Sequence, residues 1–177
     1  GCSMGYGLAS RIAAAYSCGA DTLGIIFDKP AKGKRTATAG WYNTAAFEQI
    51  AQADGLYAKT LNGDAYSAEM KEQTIETIKK DLGQVDMVIY SIAAPRRTAP
   101  DGVTYRSVLK TTDGEYTNKT IDLSTNEISE VTLEPATQEE IDATVKVMGG
   151  EDWRLWIDAM KDADVLADNA VTVAYSY

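Results

Sequence analysis

Gly1, Gly5 and Gly7, spaced G-x-x-x-G-x-G, stand directly before the helical run Leu8 to Tyr16. The chemistry that asks for such a loop is the binding of a pyrophosphate. The backbone must turn tightly and come close to the anion, and a Cβ would stand in the way. The helix that follows turns its positive end and its unpaired N–H groups toward the same anion. For the glycines alone, an ordinary tight turn is the plain alternative. Asp28 follows at the tip of the apolar run Thr22 to Phe27. An acid at that place accepts hydrogen bonds from the ribose hydroxyls of a dinucleotide; its plain alternative is a solvated turn acid. Asp28 also disfavours a 2′-phosphate, because two unit charges about 4 Å apart interact by about 4 kcal/mol at an effective dielectric near 20. Lys29, Lys32, Lys34 and Arg35 follow closely in sequence and offset part of that penalty.

Two more strand ends carry the same kind of signal. Asp64 and Ala65 close the segment that starts at Leu56. A carboxylate there accepts from an adenine amine, and a backbone N–H meets a ring nitrogen; a helix N-terminal acid is the alternative. Ser91, Ile92 and Ala93 end the segment from Val85, where small residues let backbone approach a cofactor ribose and nicotinamide; simple packing is the alternative. In this order the four features favour a dinucleotide crevice at the switch point of an open sheet. Trp153 and Trp156 are read either as the wall of an acyl pocket or as core, and core is favoured. Arg96 and Arg97 are read either as phosphate partners or as a solvated loop.

Composition narrows the chemistry. The chain has no histidine, so proton transfer must use Tyr, Lys or a carboxylate. Against 17 Lys and Arg stand 26 Asp and Glu, a net charge of −9, which argues against nucleic acid or an anionic membrane as partner. No apolar run approaches the roughly 20 residues of a membrane span. Cys2 and Cys18 are the two thiols, read as buried or inert, and no metal site is expected.

The elements that must position these residues alternate. A helix is predicted over 5–17 with Gly19 closing it, a strand over 22–27, and a helix from Thr44 to Ala53 capped by Asn43. Then come a strand over 56–61, a helix capped by Ser67 and running to about Leu82, and a strand over 85–92. The alternation predicts an α/β fold, a Rossmann-like parallel sheet with helices on both faces. The apolar strand that should feed the glycine loop is absent, so the chain is read as a fragment. A hairpin excursion is expected at about 97–135, with a turn at Asp101-Gly102. Thr137 and Glu140 form a capping box for a helix to about Met148. A helix from Glu151 to Ala163 and a strand from Ala170 to Tyr177 complete a single dinucleotide-binding domain over 1–177, cut at both ends.

At these residues the chain resembles the NADH-dependent trans-2-enoyl-CoA and enoyl-acyl-carrier-protein reductases of the large monomeric bacterial type. The motifs are GCSMGYGLASR from Gly1, GWYN from Gly40, NGDA from Asn62, YSIAAPRRT from Tyr90, LEPAT from Leu133 and VMGGEDW from Val147. The resemblance implies a fold related to short-chain dehydrogenases. It implies NADH contacts at Gly1, Cys2, Ser3, Met4, Gly5, Tyr6, Phe27, Asp28, Asp64, Ala65, Ile92 and Ala93, and a substrate contact at Tyr177. It implies reduction of the carbon–carbon double bond of trans-2-enoyl thioesters, carried by CoA or acyl-carrier protein, by a cytoplasmic monomer of fatty-acid metabolism. The thioester enolate formed by hydride transfer to the β-carbon is held by a tyrosine hydroxyl, with a lysine assisting. In the family that tyrosine and lysine are separated by eight residues. No tyrosine of this chain has a lysine at that spacing, nor at the three-residue spacing of the short-chain dehydrogenases, so the pair is expected beyond Tyr177 and the chain alone is expected to be inactive. A carbonyl reductase of the short-chain dehydrogenase type and a non-catalytic dinucleotide-binding module are the alternatives.

Overall fold

In the computed structural model residues 1–175 are described; Tyr177, the expected substrate contact, lies outside them. Contacts gather the chain into two compact units where the alternation predicts one domain. The first comprises Gly1–Ala93 and the chain from Glu151 onward; the second is Ala94–Gly150.

The first unit alternates as expected: α1 (Gly5–Cys18), β1 (Thr22–Ile26), α2 (Ala39–Ala53), β2 (Ala58–Asn62), α3 (Ala68–Asp81), β3 (Val85–Tyr90). The helix Glu151–Asp162, here α5, and the strand Leu166–Ala174, here β8, return to it after the second unit. β1 pairs parallel with β2, Thr22 against Ala58 through Ile26 against Asn62. β3 pairs parallel with β8, Met87–Tyr90 against Val171–Ala174, after a register irregularity beyond Val85. Among the described residues no strand bridges β1 and β3. Leu23 and Ile25 of β1 and Val88 of β3 line a cavity of about 460 Å³ together with Gly1, Cys2 and Trp156.

The period-two alternation of β1 puts Leu23 and Ile25 on one face. Leu23 and Ile25 join Ile78 of α3 with Trp156 and Met160 of α5 and Val165. On the other face α1 and α2 meet β2 through Ala15, Phe47, Ala51 and Ala58. The Arg11 guanidinium is buried on that face. It donates to the Thr22 carbonyl (3.4 Å), the Lys59 carbonyl (2.7 Å) and Thr60 Oγ1 (2.8 Å), and lies over the Phe47 ring. The donors of a buried charged residue are thus satisfied by carbonyls and a hydroxyl of the two strands it packs on.

Helix boundaries follow local chemistry. Gly19 ends α1 in the left-handed conformation, and the Ser67 hydroxyl accepts from Met70 N at 3.1 Å to start α3. The start of α2 differs from the sequence reading. The helix begins five residues before Thr44, with Thr38 at the cap, and Asn43 lies inside it.

The second unit holds two hairpins and a helix. β4 (Arg96–Thr98) pairs with β5 (Thr104–Arg106) around the Asp101-Gly102 turn, and β6 (Tyr116–Asp122) with β7 (Glu127–Leu133). The helix α4 (Gln138–Met148) opens on the complete Thr137–Glu140 capping box. It packs with the first hairpin: Arg97 is buried and donates to the Lys146 carbonyl at 2.8 Å, and Val108 N donates to Thr144 Oγ1 at 3.0 Å. Arg97 is therefore a strut of this unit, not part of a solvated loop.

Candidate functional site

The glycine loop leads into α1 with a helix start left open. Met4 at the cap is extended and supplies no side-chain hydrogen bond, and the first turn holds no acid. The early N–H groups are thus not claimed by a capping side chain, the condition for an anion at a helix N-terminus. Gly5 enters the helix at φ 57°, a conformation costly for any residue with a Cβ. Gly7 packs so closely on the Gly1 carbonyl that a Cβ there would collide with it. The two positions need glycine for different reasons, one for backbone conformation and one for space. Met4, Tyr6 and, across the loop, Phe27 are exposed at 57%, 73% and 77%. Large apolar side chains held in the open beside a polar cradle are the usual lining of a cofactor site.

Asp28 is fixed from three sides. Its Oδ1 accepts from Thr38 Oγ1 at 2.7 Å. Its backbone N–H donates to Asn62 Oδ1, and its carbonyl accepts from Asn62 Nδ2, both at 2.9 Å. The hydroxyl of Thr38 stands at the cap of α2 but is spent on Asp28, and so makes no bond to the helix start. The first turn of α2 closes the cradle. A Cβ at Gly40 would stand 2.6 Å from Ser3 Oγ and 2.6 Å from Asp28 Oδ1, so this glycine is the place where loop and acid meet. Asn43 Nδ2 donates to the Ser3 carbonyl at 3.3 Å. Asn43 is thus a loop-holding residue rather than the helix cap.

The other two strand ends are placed by the second core. Asp64 is exposed; its Oδ1 accepts from Tyr66 N at 3.0 Å in the turn before α3. Ala65 is half-buried, and its carbonyl accepts from Trp156 Nε1 at 3.0 Å. Gly1 lies against the Ser91 carbonyl, 2.6 Å from the site of a Cβ, which sets the glycine loop beside Ser91, Ile92 and Ala93. Gly1, Cys2, Ala65 and Ile92 border the same cavity.

Other sequence candidates lie elsewhere. Trp156 is a core residue, while Trp153 Nε1 donates to Thr172 of β8 at 2.8 Å. Lys32 and Arg35 face each other across an exposed turn. Both thiols are free; Cys18 is exposed rather than buried, and Cys2 Sγ donates to the Ile25 carbonyl at 3.6 Å. Among the described residues no cluster of carboxylates and thiols is arranged to hold a metal, and no helix is long and apolar enough to cross a membrane. Sequence reasoning assigned nothing to Thr38, Asn62 or Lys71. Asn62 and Gly40 stood in quoted motifs; Lys71 stood in none.

The cradle fits a dinucleotide: an uncapped helix start, an oriented acid at the neighbouring strand end, and space that a Cβ at Gly7 or Gly40 would fill. Comparison with known proteins agrees. Residues 1–33 match the family model of the NAD(P)H binding domain of trans-2-enoyl-CoA reductase, and residues 35–177 that of its catalytic region. The chain is 59% identical over 178 residues to the trans-2-enoyl-CoA reductase (NADH) of Ruminiclostridium cellulolyticum and 60% over 177 to the enoyl-acyl-carrier-protein reductase (NADH) of Pseudomonas fluorescens. It spans 45% of the length of each. The structure superposes on trans-2-enoyl-CoA reductases of Treponema denticola in complex with NAD (TM-score 0.94, 49% identity) and of Clostridium acetobutulicum in complex with NADH (0.95, 42%). Each match covers the whole chain and 45% of the solved one. With both family matches running across the loop, the cradle and the second unit, the chain belongs to the trans-2-enoyl-CoA reductase family.

Proposed function

We propose that this chain supplies most of the NADH site of an enzyme that reduces the carbon–carbon double bond of trans-2-enoyl thioesters, carried by CoA or by acyl-carrier protein. The observation that carries the reading is the convergence of Ser3 and Asp28 on Gly40 beside the open start of α1. Gly1 through Tyr6 cradle the pyrophosphate. Asp28 and Phe27 hold the adenosine ribose, Asp64 and Ala65 the adenine, and Ile92 and Ala93 flank the nicotinamide end. NADH, when bound, supplies the hydride that reaches the β-carbon. The residues of this chain bind and orient the dinucleotide; none is assigned to proton transfer, and Tyr177 is proposed as a substrate contact. The enzyme works as a monomer in the cytoplasm.

Calorimetric titration of the full-length protein tests the cofactor. NADH is expected to bind more tightly than NADPH, because Asp28 accepts from the ribose hydroxyls and repels a 2′-phosphate. Equal or tighter binding of NADPH removes the role given to Asp28. Oxidation of NADH dependent on crotonyl-CoA tests the reaction. Turnover is expected from the full-length protein and not from residues 1–177 alone.

A further inference from the structure

Beneath the adenine end of the cradle lies a buried ion pair that cofactor contact alone does not explain. Lys71 Nζ sits 2.8 Å from Asp152 Oδ1, with side-chain exposures of 11% and 1%. The same ammonium donates to the carbonyls of Ala65 and Tyr66, each at 3.1 Å, and stands over the Trp156 ring. The other carboxylate oxygen of Asp152 accepts from Tyr90 Oη at 3.0 Å. One chain of bonds therefore runs from the turn after β2, through α3 and the first turn of α5, to the last residue of β3.

A buried charge pair is a costly way to fill a core, and an apolar replacement often serves stability as well. What an apolar residue cannot do is grip two carbonyls. Lys71 has three donors, and two go to consecutive carbonyls directly after Asp64. Asp152 fixes the ammonium so that both bonds form at once. Trp156 adds a second donor to the Ala65 carbonyl. With its carbonyl side gripped, this turn has its Ala65 N–H and the Asp64 carboxylate in a fixed setting.

We propose that Lys71, held by Asp152, is a positioning residue for recognition of the adenine base. The pair sets the turn Asp64–Tyr66 so that a carboxylate and a backbone N–H present together to the purine edge. The proposal rests on the reading of Asp64 and Ala65 as the adenine contact.

The test compares NADH with its deamino analogue, which carries a carbonyl oxygen in place of the adenine amine. Dissociation constants are measured by calorimetry on the full-length protein, with thermal melting to check folding. The wild type is expected to prefer NADH by about tenfold, the size of one hydrogen bond to a charged group. Lys71→Met is expected to reduce that preference to about twofold or less, by weakening NADH more than the analogue. The double variant K71M/D152N leaves no charge buried and carries the test where K71M does not fold; the same loss of preference is expected. A general packing defect weakens both dinucleotides equally, and that outcome overturns the proposal, as does an unchanged preference. Asp64→Ala separates the underlying reading. If it abolishes the preference while the Lys71 variants keep it, the adenine contact stands and the positioning role falls. If Asp64→Ala leaves the preference intact, the adenine assignment fails and the positioning role fails with it.

Discussion

Asp28 earns its place by being held, not merely by being acidic. Thr38 and Asn62 fix its carboxylate and its backbone, and Gly40 leaves the space in front of it. Asp28→Ser on the full-length protein is expected to weaken NADH by about tenfold or more, the size of a hydrogen bond to a charged group, and to narrow the gap to NADPH. Calorimetry with both dinucleotides checks it. Thr38→Val leaves the acid present but free to turn, so a smaller loss, about threefold, is expected by the same titration. Arg11 is the stabilising counterpart on the opposite face of β1. Replacement by Met keeps the packing stem but removes the guanidinium's hydrogen bonds to the Thr22 and Lys59 carbonyls and to Thr60 Oγ1. A loss of about 2–3 kcal/mol in urea unfolding is expected, from the lost charged hydrogen bonds.

At the scale of elements, the glycine loop and α1 act as one device. Gly5→Ala forces a side chain into the left-handed region and is expected to cost about 1–2 kcal/mol of stability with a moderate loss of NADH affinity. Gly7→Ala is expected to be worse for binding than for folding. Its Cβ meets the Gly1 carbonyl, and the loop must move away from the cradle to admit it. Melting temperature and NADH titration on the two variants separate the cases. In α4 the Thr137 hydroxyl accepts from Glu140 N at 3.2 Å. Thr137→Ala is expected to lower stability by about 1 kcal/mol, seen by thermal melting, while leaving the NADH cradle untouched.

Across the molecule, acid response is uneven. In the second unit, backbone N–H groups of Val103 and of Ser124 and Thr125 hold Asp101 and Asp122 below the usual carboxylate range. Lys110, aided by the Thr137 N–H, does the same for Glu140. In the first unit Asp81 is lowered by Lys59 and Tyr57, and the Tyr57 hydroxyl is pushed up by burial and by Asp81. A carboxylate whose folded pKa is depressed gives stability that is complete above its unfolded pKa, about 4, and is lost as the pH falls through the folded value. With three of these four acids in hairpins and helix α4, the second unit is expected to lose amide-exchange protection first as the pH falls below about 4. Exchange measured by mass spectrometry at pH 6 and pH 3 checks the order.

Much of this architecture was legible in the chain because its signals are local. Apolar period, Ser67, the Thr137–Glu140 box and Gly19 fix elements within a few residues of themselves, so the strand–helix order and most boundaries could be read directly. The chemical candidates stood at a helix start, 1–7, and just past strand ends, 28, 64–65 and 91–93, for the same reason. What local signals could not say was where long-range bonds are spent. Asn43 has the composition of a cap, yet Thr38 takes that position and gives its hydroxyl to Asp28, because the approach of Ser3 and Asp28 to Gly40 draws the first turn of α2 into the cradle. Lys71 and Asp152, 81 residues apart, carry no local signal of their pairing; only the packing of α3 with α5 buries them together beside the Ala65 and Tyr66 carbonyls. The sequence by itself determined the elements and the kinds of group at the site. Tertiary structure alone decided which of those groups are held still, because orientation comes from partners that only folding brings within 3 Å or so of one another.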